Sequence, residues 1–72
     1  MIKNQIGTNA GIVWRTLNKS NCKMSLNDLG AITLLTDVEI SMAIGWLARE
    51  GQITVVEEHG VMYYSTYHEM FY

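Results

Sequence analysis

Few residues in this chain are of the types that carry enzymatic chemistry. The single cysteine, Cys22, and the two histidines, His59 and His68, are far apart and show none of the spacings of a zinc site or of a nucleophile beside its base. Glu57 and Glu58 are adjacent in a predicted strand, so they point to opposite faces and cannot act as a carboxylate pair. No glycine-rich phosphate loop follows a strand. We therefore expect no catalysis, cofactor, metal site or small-molecule ligand.

Charge is distributed unevenly along the 72 residues. The formal net charge is −2, but the segment up to Met24 carries only cations, and the segment from Ser25 onward carries one arginine and all seven acidic residues. A nucleic-acid contact would therefore have to come mainly from the first segment, unless these charges serve only solubility. The candidate contact residues are Lys3, Arg15, Lys19, Lys23 and Arg49.

The length and composition predict one small globular domain over residues 1–72. Hydrophobic residues make up 49% of the chain and charged residues 17%, which is typical of a folded protein with a marginal core. The longest apolar run, residues 42–48, is too short to span a bilayer, and the polar N-terminus does not resemble a signal peptide. Together with the free thiol of Cys22, these features predict a cytoplasmic protein without a membrane partner.

The first helix is predicted from about Gln5 to Lys19. Apolar residues recur there at steps of three and four and so share one face. Gly7 and Gly11 interrupt this pattern, and we expect another backbone or a bulky ring to come close to them. The residues on the apolar face are Ile6, Ala10, Val13, Trp14 and Leu17.

A short edge strand is expected over residues 24–26, followed by a helix of about two turns that Asn27 caps. Leu29 and Ile32 form the apolar face of this second helix, and Leu35 fills the gap before the next one.

The third helix has the strongest start signal in the chain. Thr36 and Glu39 have the spacing of a capping box, and Gly51 is suited to the left-handed position after the helix. The expected core residues of this helix are Ile40, Ala43, Ile44 and Leu47.

Two strands, residues 52–57 and 61–66, are predicted to form a hairpin joined by the short loop Glu58-His59-Gly60, with Gly60 at positive φ. The tail from Tyr67 to Tyr72 has no clear period. Two helices joined by a tight turn and followed by a hairpin make a winged helix-turn-helix. The predicted fold class is therefore α+β, with three helices and a small antiparallel sheet.

Two segments of the chain resemble a small bacterial and archaeal winged helix-turn-helix family of uncharacterised function. The first is the Gly-x-Asn-Ala-Gly-x-x-Trp segment from Gly7 to Trp14, and the second is Gly-Trp-Leu-Ala-Arg-Glu from Gly45 to Glu50. The resemblance covers residues 6–65 and implies a winged helix, but it implies no ligand. Leu34 departs from the family pattern, in which this turn often holds glycine or a polar residue.

The outward face of the third helix offers little that could read DNA. At 100° per residue, Val38, Met42 and Arg49 lie opposite Ile40, with Gly45 beside them and Trp46 on the flank. A base-reading surface needs Arg, Lys, Asn or Gln. Trp46 and Met42 are instead typical of a protein interface, unless they pack into the core.

We therefore expect a transcription-associated protein that works as a homodimer, with weak or indirect DNA contact. Its dimer or partner interface would be Val38, Met42, Gly45 and Trp46. The alternative is a protein-interaction module on a winged-helix scaffold that does not bind DNA. DNA remains a conceivable partner, but the charge distribution disfavours it.

Overall fold

The computed structural model describes residues 3–20 and 22–66, with the side chains of Lys3 and Asn4 outside the description. The predicted tail from Tyr67 to Tyr72 lies outside the described residues. Three helices and three strands alternate in the order helix, strand, helix, helix, strand, strand. They are α1 (Lys3–Ser20), β1 (Met24–Ser25), α2 (Leu26–Thr33), α3 (Asp37–Arg49), β2 (Ile53–Glu58) and β3 (Val61–Thr66).

The core lies where α1 and α3 pack together, with contributions from α2 and the sheet. Val13 and Leu17 of α1 and Ile40 of α3 are fully or almost fully buried. Trp14 and Leu35 are partly buried and pack against this cluster, as predicted. The remaining members of the core are Ala10, Met24, Leu29, Ala43, Ile44, Leu47 and Ile53.

The chain passes directly from β1 into α2 at Ser25. Ser25 pairs with Tyr63 in the sheet, and its hydroxyl also accepts a hydrogen bond from the Asp28 N–H. The Asp28 carboxylate accepts one in return from the Ser25 N–H, which completes a capping box. The expectation that Asn27 caps α2 is therefore wrong, because the helix already begins at Leu26.

The turn between α2 and α3 makes the helix-turn-helix. The two helices meet at a bend of 111°, within the range of that motif. Leu34 caps α2 in the left-handed conformation, at φ 63°, and its N–H donates to the Gly30 carbonyl. Ile32 is 59% exposed, so its expected place on the apolar face of α2 is wrong.

Both ends of α3 are formed by local signals. The predicted capping box is present, because Thr36 and Glu39 exchange hydrogen bonds between side chain and backbone. At the other end Gly51 lies at φ 70°, and the N–H of Gln52 donates to the Leu47 carbonyl. This arrangement is a Schellman motif, and it confirms Gly51 as the residue after the helix.

The sheet is antiparallel with strand order β1-β3-β2. β2 and β3 pair from Ile53 with Thr66 to Glu58 with Val61. His59 and Gly60 both have positive φ, which defines a type I′ hairpin turn and confirms the prediction for Gly60. We call β2, β3 and this turn the wing.

Among the described residues, the two glycines of α1 do not mark a close approach. A Cβ atom built on Gly7 would meet nothing within 4 Å, and one on Gly11 would meet only the guanidinium of Arg15 from the same helix. The expectation that a backbone or a bulky ring packs there is wrong for the described residues.

Candidate interaction surface on the third helix

The side of α3 that faces away from the core is largely apolar. Val38 is 65% exposed, Met42 41% and Trp46 37%. They recur at steps of four, so they lie in one row along the helix. We call these three residues together with Gly45 the α3 stripe. The structure thus places all four predicted interface residues on one exposed surface and leaves Trp46 outside the buried core.

Gly45 leaves a gap in the middle of the α3 stripe. The residue is exposed, and a Cβ atom built there would meet nothing within 4 Å. Glycine in a helix interior costs about 1 kcal/mol relative to alanine. Because nothing in the described chain fills the gap, another backbone can approach the helix closely at this point.

The first turn of α3 is acidic. Asp37 and Glu39 both lie there, and the Glu39 carboxylate accepts a hydrogen bond of 2.8 Å from the Thr36 N–H. In a helix-turn-helix protein this end of the second helix reaches the base edges. Here it presents negative charge, which stabilises the helix through its dipole but repels phosphate.

The five candidate cations lie on different elements. Arg15 and Lys19 are exposed and one turn apart on α1, and Arg49 is exposed in the last turn of α3. Lys3 begins α1, but its side chain lies outside the described residues.

Lys23 does not offer a free positive charge. Its ammonium group forms an ion pair with Glu58 of the wing and lies 5.1 Å from the centre of the Tyr63 ring. Lys23 is therefore engaged with the wing and is not an unpaired cation.

Further exposed apolar residues lie outside the α3 stripe. Leu34, at the turn before α3, is 85% exposed, and Ile32 lies just before it. In the wing, four residues are each exposed by 40% or more: Val55, Val56, Val61 and Met62. Sequence reasoning missed these residues. The sequence did contain a signal, because Val55 and Val56 are consecutive in a strand, so at least one of them must point away from the protein core.

The described residues offer little scope for chemistry. No group of three or more His, Cys, Asp or Glu side chains among residues 3–20 and 22–66 is arranged to hold a metal ion. A shallow depression is lined by Thr16, Lys19, Ser20 and Ile32. The hydroxyls of Thr16 and Ser20 donate to carbonyls of their own helix, so Lys19 is the one charged group there.

In the described part of the chain no single helix is both long enough and apolar enough to cross a membrane; α2 and α3 meet these requirements only as a pair bent by 111°.

Comparisons with known proteins agree with this architecture. The family model described as winged helix-turn-helix domain DUF2582 matches residues 1–66. The solution NMR structure of protein BT2368 from Bacteroides thetaiotaomicron is 31% identical, with a TM-score of 0.81 over 92% of this chain and 79% of that chain. No curated protein matches the sequence.

Two structures of HlyU from Vibrio cholerae N16961 are more distant and show the fold alone. Reduced HlyU is 19% identical, with a TM-score of 0.72 over 81% of this chain and 59% of that chain. The second HlyU structure is 21% identical, with a TM-score of 0.64 over 92% of this chain and 80% of that chain. The predicted family resemblance and the predicted fold are both confirmed, and the chain belongs to the DUF2582 family of winged helix-turn-helix domains.

Proposed function

We propose that this protein is a non-enzymatic, transcription-associated winged-helix protein of the cytoplasm that works as a homodimer, with weak or indirect DNA contact. The observation that carries the proposal is the α3 stripe. The helix that would enter the major groove in a DNA reader exposes Val38, Met42 and Trp46, and Arg49 is its one Arg, Lys, Asn or Gln side chain.

Electrostatics oppose strong DNA binding by this face. The first turn of α3 carries Asp37 and Glu39, and the wing ends in Glu57 and Glu58. A typical operator binder makes about 6–10 phosphate contacts, whereas the whole chain has 5 Lys and Arg. With Lys23 engaged by Glu58, the remaining cations are too few for tight non-specific binding.

A two-fold axis beside α3 would bury the α3 stripe of one copy against the α3 stripe of the other. Such an axis brings the same residues of two copies together, and the gap at Gly45 lets the two helices approach closely. Association would also stabilise a domain whose own core is small. Trp46 and Met42 would supply the apolar contact that interfaces favour.

Mass measurement by light scattering at high micromolar concentration tests this dimer. We expect a dimer for the natural sequence and a monomer for Met42→Lys, because two like charges would meet at the axis. Asn18→Lys is the matched control, because Asn18 is exposed and lies on α1, outside the α3 stripe. A monomeric natural protein would refute the dimer, and a dimeric Met42→Lys variant would move the interface off α3.

Binding to random duplex DNA over a range of salt concentrations tests the second part of the proposal. Non-specific affinity near physiological salt should be weaker than the usual ~10⁻⁴–10⁻⁶ M. A micromolar complex with a steep salt dependence would contradict this. If that complex were lost in the double variant Arg15→Ala and Lys19→Ala, α1 would be the contact face.

The second candidate function is a protein-interaction module that does not bind DNA. It is favoured by the acidic wing and by the concentration of all seven acidic residues after Met24. A monomeric natural protein without measurable DNA binding at low salt would support this function over the first.

A further inference from the structure

The outer edge of β2 is open to a further strand. β2 is six residues long and lies at the end of the sheet order β1-β3-β2, so within the described residues it has a neighbour on one side only. Natural edge strands are usually protected by charged side chains, Pro, a bulge or short length. In β2 the only such device is the charge of Glu57 and Glu58 at its end; residues 53–56 are uncharged, and the pairing with β3 is continuous.

The hairpin turn indicates which backbone groups point outward. A four-residue turn from Glu58 to Val61 is closed by a hydrogen bond between these two residues. Pairs alternate between hydrogen-bonded and non-hydrogen-bonded along an antiparallel ladder. This alternation directs the N–H groups of Val55 and Glu57 away from β3, and both residues are exposed, so these groups are available to a partner strand.

Both faces of the wing are apolar where they leave the core. Val55 and Met62 lie on one face, and Val56 and Val61 lie on the other; each is at least 40% exposed. A docked helix would cover only one of these faces. A strand added beside β2 would extend both, because its own side chains alternate between them.

The charge of the wing indicates the chemistry of such a strand. β2 ends in Glu57 and Glu58. Lys23 neutralises Glu58, and no ion pair involves Glu57 within the described residues. Opposite charges directly across a strand pair are favourable, whereas like charges are not. The complement of this edge is therefore an extended segment with β-branched residues and with lysine or arginine opposite Glu57.

We propose that the outer edge of β2 binds an extended, cationic segment of a partner protein as the fourth strand of the sheet. This interaction is independent of the proposed contact through α3. The main-chain groups of Val55 and Glu57 supply the hydrogen bonds, and Glu57, which Lys23 does not engage, selects a basic residue on the partner strand.

A synthetic peptide tests the edge directly. In antiparallel register, acetyl-Lys-Lys-Val-Thr-Val-Thr-amide places its lysines opposite Glu58 and Glu57. We expect saturable amide shifts at Val55 and Glu57 by NMR titration, with the α3 amides of Val38 and Met42 unchanged. The same peptide with both lysines replaced by glutamate should bind about tenfold more weakly.

Two changes separate strand addition from simple charge attraction. Val55→Pro removes an outward N–H without removing a bond to β3, which is the one kind of edge position that tolerates proline. It should abolish peptide binding, whereas Val55→Thr should retain it. Methylation of the peptide nitrogen opposite Val55 should also abolish binding, and this test leaves the protein unchanged.

Three results would overturn the proposal. One is a set of shifts centred on α3 instead of β2, and another is equal binding of the lysine and glutamate peptides. The third is a smaller mass in solution for the Val55→Pro variant than for the natural protein. That result would show that a second copy of the chain occupies the β2 edge in the natural protein.

Discussion

The ammonium group of Lys23 lies 5.1 Å from the centre of the Tyr63 ring. The same group pairs with Glu58 at the end of β2, so one side chain contacts both strands of the wing. Lys23 itself immediately precedes β1, on the other side of β3. This interaction therefore links the wing to the segment that precedes the helix-turn-helix. It also leaves Lys23 unavailable as a cation for a partner.

The first prediction measures this interaction by a double-mutant cycle with Lys23→Met and Glu58→Gln. Both side chains are nearly half exposed, at 46% and 44%, so solvent weakens the pair. We expect a coupling free energy of about 0.2–1 kcal/mol in urea denaturation, decreasing with added salt. A coupling of zero at low salt would show that the ion pair contributes nothing to the stability of the wing.

The second prediction concerns the backbone strain at Leu34. A left-handed conformation costs a non-glycine residue roughly 1–2 kcal/mol, and Leu34 is too exposed to compensate by burial. Leu34→Gly should therefore raise the free energy of unfolding by about 0.5–1 kcal/mol, after the larger entropy of the unfolded glycine chain is subtracted. Leu34→Ala is the control, because it shortens the side chain and keeps the strain. Equal stability of the two variants would contradict the explanation.

The third prediction separates the helix propensity of Gly45 from its proposed place in a dimer. Gly7 and Gly45 both lie within helices and have open space at the Cβ position. Substitution of either by alanine should stabilise the fold by about 1 kcal/mol. Only Gly45→Ala should also raise the concentration at which the dimer dissociates, as measured by sedimentation. An unchanged dissociation constant would place Gly45 outside the interface.

The fourth prediction contrasts the two faces of α3. Ile40 is fully buried and Val38 is 65% exposed. Ile40→Ala should cost about 2–5 kcal/mol of stability through lost burial and a cavity. Val38→Ala should change the stability of the monomer by less than about 0.5 kcal/mol. Thermal or urea denaturation at a concentration below the dimer range measures both, and similar losses in the two variants would contradict the assigned orientation of α3.

Sequence alone determined those features whose signals lie within a few residues of one another. The capping box of Thr36 and Glu39 and the terminal Gly51 defined α3, because both act on the backbone of a single turn. The spacing of Ile40, Ala43, Ile44 and Leu47 defined the buried face and thereby the outward α3 stripe. The positive φ of Gly60 followed from its place in a short hairpin loop, whereas the structure assigns Glu58 to β2 and leaves a two-residue turn.

The tertiary structure decided what depends on contacts between distant segments. Ser25 and not Asn27 caps α2 through the local Ser25–Asp28 capping box, a sequence signal that the choice of Asn27 overlooked, and pairing with Tyr63 holds Ser25 in the extended conformation that the cap needs. Lys23 is engaged because folding brings β1 beside the wing, and Ile32 is exposed because α3 packs against another side of α2. Such contacts depend on which surfaces meet in the folded chain, and the local periodicity of one segment carries no record of its neighbours.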